Sequence, residues 1–228
     1  MHENAPGLYV CNKLCRDLRW LRRKKVKSSL EFCTVPLMRT LGEHYKGLLV
    51  QLAPSFAPTK DNIRRLRFLG HFFSQLRKSN RSTARLFVEF RHPGWCDTWK
   101  SVHAVHTFEK KANLSVVSIV STGWNRLVGC NGKLTPTKTD YGNVWPPITR
   151  WTRYIRLHGE QSKYRGWYSP TKVKALIQPA KSCVISFNNT MWGRTKPRTA
   201  CRWRKKRDGC AICNATQMAQ ELGVRRTG

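Results

Sequence analysis

Strand-like and helix-like segments alternate along this chain, and the alternation predicts an α/β fold, a parallel sheet covered by helices. Three observations carry that prediction. Short apolar segments bounded by Gly, Pro, Asn or Ser recur at intervals of roughly 30 to 40 residues, a spacing that suits βα units. Amphipathic helical patterns lie between them. Each well-defined strand also carries polar residues on one face toward its C-terminal end. An open doubly wound sheet and a barrel both accommodate this order. No Gly-x-Gly-x-x-Gly follows any strand, so a dinucleotide-binding sheet loses support.

Five segments read as buried strands: Leu48–Leu52, Leu86–Phe90, Leu114–Val120, Tyr154–Leu157 and Cys183–Phe187. A sixth candidate is Leu8–Cys11. The stretch Asp61–Leu76 places Ile63, Leu66, Leu69, Phe73 and Leu76 on one helical stripe, with Thr59 ahead of it as a cap. A second helix opens with Ser169 as cap and Pro170 in its first turn, turns Val173, Leu176 and Ile177 inward, and ends at Pro179. A third starts at Asn214, with Gln217 three residues on, and stops at Gly223. Thr122–Pro147 and Arg194–Cys213 read as surface excursions.

At 228 residues one domain is the natural expectation, and 24 aromatic residues (nine Trp, six Tyr, nine Phe) supply material for its core. No stretch approaches the ~18 consecutive apolar residues of a membrane span. The N-terminus lacks the charged-then-apolar pattern of a secretory signal. Nine cysteines without such a signal are most simply reduced thiols, which places the expected protein in the cytoplasm or the nucleus, soluble and away from membranes.

The charge is strongly positive, 43 Lys and Arg against 12 Asp and Glu, a formal +31. It is also concentrated. Lys13–Lys27 holds eight basic residues against the single acid Asp17, and Arg194–Arg207 holds eight with none. Such runs can bind phosphate backbones in a salt-sensitive, sequence-independent way. They are more often solvated surface charge or a poorly ordered insertion.

Period-two alternation sharpens the strand ends. One face of Leu86–Arg91 carries Phe87, Glu89 and Arg91; one face of Tyr154–His158 carries Tyr154, Arg156 and His158. Ser186 and Asn188 share a face at the end of the last strand, and Gln51 interrupts the first in the same way. In a parallel barrel this polar face would meet the interior mouth, where active sites of such barrels sit. The structural alternative is a buried ion pair of Glu89 with Arg91 or Arg156, since buried charges persist only when paired. Both readings stand.

These residues resemble a known family. Gln51-Leu52-Ala53-Pro54-Ser55-Phe56, Val88-Glu89-Phe90-Arg91-His92-Pro93-Gly94-Trp95, Tyr154-Ile155-Arg156-Leu157-His158-Gly159 with Tyr164, Gly166, Tyr168 and Ser169, Phe187-Asn188-Asn189-Thr190 and Asn214-Ala215 are similar, in order and approximate spacing, to the domain of unknown function 72 family (YecE-like) over about residues 40–222. The resemblance implies a TIM-type α/β barrel. The family's opening strand motif and its next strand have no counterpart, and Leu8–Lys13 would be the third strand. The implied barrel is therefore incomplete, about strands 3 to 8 of 8, formed by residues 1–228 as one domain with a basic insertion at 191–213.

For such a barrel protein the expected function is a polar, anion-compatible site at the strand ends, with no reaction assigned and enzyme activity left open. Glu89 and His158 are the acid–base candidates. Arg91 and Arg156 would hold an anionic group, Asn188 and Gln51 would orient a substrate, and Tyr164 and Tyr168 would cover it. The rival expectation is a non-catalytic nucleic-acid-binding protein using Arg194, Arg202, Arg204, Lys205, Lys206 and Arg207; an inactive fragment is a further alternative. Neither His103-x-x-His106 nor Cys210-x-x-Cys213 with Cys201 completes a zinc site, so no metal and no cofactor is expected. The expected partners are a small anionic ligand or a nucleic acid, and the oligomeric state stays open.

Overall fold

The computed structural model describes residues 10–14, 23–95, 111–120, 153–158, 168–177 and 183–187. Six strands are found among them: β1 (Val10–Leu14), β2 (Tyr45–Gln51), β3 (Arg85–Glu89), β4 (Ser115–Val120), β5 (Arg153–Leu157) and β6 (Cys183–Phe187). Helix α1 (Arg23–Leu41) leads to β2, α2 (Lys60–Ser79) connects β2 to β3, and α3 (Pro170–Ile177) connects β5 to β6. The chain forms two compact units, one of Met1–Val117 with Leu127–Cys130, the other of Ser118–Arg126 with Asn131–Gly228.

In the first unit β1, β2, β3 and the start of β4 pair side by side, all parallel and in sequence order. In the second, β5 and β6 pair in parallel with Arg156 opposite Ser186. Parallel neighbours require crossover connections, and helices supply them. The α/β class expected from the alternation is what the structure contains. The expected strands agree with β2 to β6 to within three residues at each end. The sixth candidate is β1, displaced toward Leu14.

Every residue of β2 except Lys46 is buried, and so is every residue of β3 except Arg85. Strands covered on both faces are therefore apolar at nearly every position, with exceptions only at their ends. The register of β1 on β2 slips between Val10 and Cys11, so that Lys46 is the extra residue of a bulge. Gly47, just after it, has φ +149°, and a Cβ there would lie 2.0 Å from the Arg85 carbonyl oxygen. Only glycine lets β3 approach that closely. Gly70 does the same for α2, where a Cβ would meet the Ala112 carbonyl oxygen at 1.8 Å.

Helix α2 is written in its own sequence. The Thr59 side chain accepts from the Asn62 backbone N–H at 3.2 Å, and Leu66, Leu69, Phe72, Phe73 and Leu76 are buried along its inner face. At its other end the Asn80 side chain donates to the Leu76 carbonyl at 2.8 Å. Helix α3 begins at Pro170, as expected, and its Val173 packs with Ile155, Leu157 and Tyr168 in the core of the second unit.

Helix α1 is not legible in the same way. Its first residues belong to the basic run Lys13–Lys27, expected as solvated charge or a poorly ordered insertion, and Pro36 stands inside it. A proline removes one helical hydrogen bond and normally ends the pattern. Here Leu30, Thr34 and Met38 are buried at successive four-residue steps while Pro36 stays exposed. Tertiary burial holds a helix that local propensity argues against.

The third helix from Asn214, the excursions Thr122–Pro147 and Arg194–Cys213, and the insertion 191–213 lie outside the described residues. Among the described residues no helix is long and apolar enough to cross a membrane.

Candidate functional site at the strand ends

Seven polar or charged residues are buried among those described: Thr34, Gln51, Glu89, Ser115, Ser118, Arg156 and His158. Four of them, Gln51, Glu89, Arg156 and His158, stand at or just beyond the C-terminal end of a strand. Burying such groups costs several kcal/mol unless they are partnered, so their concentration at one end of the strands calls for a reason.

In the first unit β2 and β3 place Gln51 directly opposite Glu89, and the Leu52 N–H donates to the Glu89 carbonyl at 3.0 Å. Equal register in a parallel pair puts both side chains on one face. The Glu89 carboxylate is fully buried and accepts from the Arg91 guanidinium, itself 11 % exposed. Alternation along β3 anticipated that shared face, and the ion-pair reading of Glu89 is realised through Arg91. Beside the pair, the Gln51 Oε1 atom is buried with no hydrogen-bond partner among the described residues.

The two loops that follow β2 and β3 are stapled by Trp95. Its indole N–H donates to the Phe56 carbonyl at 2.7 Å; its ring stacks on Phe56 at 6.2 Å and lies tilted over Phe90 at 4.4 Å. The Gly94 N–H donates to His92 Nδ1 at 3.0 Å, closing the turn that presents Trp95. Sequence reasoning quoted Trp95 without giving it a role. Two motifs widely separated in the chain meet through it, and they hold the ends of β2 and β3 in place.

In the second unit Tyr154, Arg156 and His158 occupy one face of β5 and are buried; Ile155 and Leu157 turn the other way into the core with Val173. Cys183, Ile185 and Phe187 of β6 pack on that same core. Ser186, in register with Arg156, lies on the polar face. Tyr168 is fully buried within the apolar cluster rather than standing over a strand end. Asn188, Tyr164, Arg194, Arg202, Arg204, Lys205, Lys206 and Arg207 lie outside the described residues, as do His103, His106, Cys201, Cys210 and Cys213. Among the described residues no group of three His, Cys, Asp or Glu side chains could hold a metal ion.

Sequence and fold comparisons show the family. A model of the family of proteins of unknown function DUF72 matches residues 5–228. The chain belongs to the DUF72 family. The match includes β1 and so extends beyond the residues 40–222 that carry the motif resemblance. The DUF72 chain is similar in fold to the crystal structure of a DUF72 family protein from Enterococcus faecalis V583, with 19 % identity and a TM-score of 0.58 over 90 % of this chain and 67 % of that one. It is similar as well to a DUF72 family protein from Thermotoga maritima MSB8, again at 19 % identity and a TM-score of 0.58, over 96 % of this chain and 75 % of that one. No curated protein matches it.

Proposed function

We propose that this DUF72 chain is a TIM-type barrel protein whose strand C-terminal ends bear a site for a small anionic ligand that also carries a hydrogen-bond donor. The six strands would correspond to about strands 3 to 8 of eight. The parallel order within each unit and the 67 % and 75 % shares of the two DUF72 neighbours support that numbering. In each unit separately, buried polar groups at strand ends support the reading: Gln51 beside Glu89 in the first, with Gln51 Oε1 unpartnered among the described residues, and Arg156 with His158 in the second. Active sites of parallel barrels lie at that end because the loops following the strands can vary without disturbing the core.

Each group has a role that follows from its chemistry. Arg156 would bind the anionic group, since a guanidinium presents a planar fork of donors to phosphate or carboxylate. Gln51 would accept from a ligand hydroxyl or N–H. Glu89 and His158 are the groups suited to exchanging a proton, Glu89 being oriented by Arg91. Asn188 would add a donor at the end of β6.

The test uses the full chain with inorganic phosphate as probe. Saturation at a hundredfold excess over Kd should raise the stability of the wild-type chain by about 2.7 kcal/mol, read as a shift in Tm. Arg156→Leu should abolish the shift while circular dichroism stays unchanged, and Gln51→Leu should leave phosphate binding intact. Unfolding of Arg156→Leu would instead identify the guanidinium as a structural plug and sink the ligand site.

A further inference from the structure

The outer face of α2 carries a second feature, independent of the strand ends. Lys60, Arg64, Arg67, His71 and Lys78 are all exposed, and their spacing of four, three, four and seven residues returns each to the same side of the helix. The stripe runs about 27 Å, eighteen residue steps at ~1.5 Å each. Its neighbouring acid, Asp61, meets Arg64 at 3.4 Å in a pair whose side chains are 75 % and 76 % exposed, so the contact is weak and exchangeable. Helix α1 adds Arg39 at the far end, where its Nε donates to the Asn80 side chain at 3.1 Å, next to Lys78 and Arg81.

Helix stability accounts for one end of this stripe. Cations in a last turn, as at Lys78, oppose the negative end of the helix dipole. Lys60 and Arg64 sit at the positive end, where cations are unfavourable and only Asp61 compensates. What the arrangement does provide is a row of cations, Lys60, Arg64 and Arg67 with Lys78 at the far end and the His71 imidazole between them, on a rigid element in a chain of net charge +31.

We infer that this face of α2 is a docking surface for the phosphate backbone of a double-stranded nucleic acid. A polyanion complements the row, and 27 Å is long enough to reach phosphates on both sides of a major groove about 12 Å wide. Among the described residues α2 has no exposed aromatic ring for unpaired bases to stack on, and the exposed Phe32 on α1 is a lone ring rather than the series of platforms that a single strand uses. Among the described residues the stripe on α2 has no exposed apolar side chain to insert among lipid tails, and Phe32 of α1 by itself is far from the apolar face of a membrane-binding helix. Phe68 and Phe72, the aromatic residues beside the stripe, are half-buried and buried and stack on each other at 6.2 Å. The surface lies on a well-formed helix and does not involve the basic run Arg194–Arg207.

The experiment compares two full-length triple variants that lose equal charge. Lys60→Gln/Arg64→Gln/Lys78→Gln removes the stripe; Arg65→Gln/Lys111→Gln/Lys174→Gln removes exposed cations elsewhere. Binding to a labelled duplex of about 20 base pairs is followed by anisotropy against salt. Each lost phosphate contact lowers the slope of log K against log salt by about 0.9. The stripe variant should therefore lose about 2 to 3 units of slope and bind roughly tenfold or more weakly at low salt, the control variant less than about one unit. Equal losses in the two variants, or an unchanged duplex affinity in the first, would overturn the inference. So would a stripe variant that releases phosphatidylserine vesicles yet holds the duplex. Acetylation of the wild-type chain needs no variant: duplex should protect Lys60 and Lys78 severalfold but not Lys111 and Lys174, and absent protection defeats the proposal equally.

Discussion

Among the described residues of the first unit, two acid–arginine pairs close in sequence have opposite fates. Glu89 and Arg91 lie two residues apart along the end of β3, fully and nearly fully buried. Asp61 and Arg64 lie three apart at the start of α2, and both are largely in water. Residue types and local spacing are almost the same. What differs is the medium. In water a charge loses little when its partner leaves, because solvent and salt replace the attraction. In the interior the remaining charge has lost its hydration and nothing replaces it. The buried pair is therefore a commitment of the fold, whereas the exposed pair leaves Arg64 available to another anion.

Breaking the buried pair should produce the largest effect. Arg91→Leu should destabilise the chain by about 3 to 5 kcal/mol in urea unfolding, because Glu89 is left buried beside an apolar group. The double variant Glu89→Leu/Arg91→Leu should recover most of that loss. A double variant no better than Arg91→Leu would mean that the pair contributes through packing rather than charge.

The helix cap adjacent to the exposed pair should matter more than the pair. Thr59→Ala removes the acceptor of the Asn62 N–H and should cost about 1 kcal/mol. Thr34 in α1 sharpens the contrast from the other side, since its hydroxyl oxygen is buried without a hydrogen-bond partner among the described residues. Thr34→Val keeps the shape and removes the orphan, so stability should rise by about 1 kcal/mol; a drop would reveal a partner for that hydroxyl.

The smallest effect belongs to the exposed pair. Asp61→Asn should change stability by less than about 1 kcal/mol, part of it from the helix dipole, and the change should fade at 1 M salt where screening acts over ~3 Å. A salt-independent loss comparable to that of Arg91→Leu would erase the distinction between the two pairs.

A charged group at one end of the first unit can be buried and matched, then, while its counterpart outside stays mobile enough to exchange. Part of the strand-end site was legible because alternation is a local rule: period two placed Glu89 with Arg91, and Arg156 with His158, before any coordinates. The register of Gln51 against Glu89 was not, because it depends on pairing between strands far apart in sequence, where Gly47 lets the backbone at Arg85 come close. The role of Trp95 was hidden for the same reason, since its partner Phe56 is 39 residues away.

Sequence alone determined the features whose causes are local: strand and helix alternation, the Thr59 cap, the apolar stripe of α2, Pro170 at the start of α3 and the side of each strand on which the polar residues fall. Tertiary structure decided the rest. It made a helix of Arg23–Leu41 despite Pro36, because burying Leu30 and Met38 outweighs one lost hydrogen bond. It chose Arg91 as a partner of Glu89, turned Tyr168 into core, and left the Gln51 acceptor unmet among the described residues. Burial is a property of neighbours brought together from distant parts of the chain, and no window of sequence contains it.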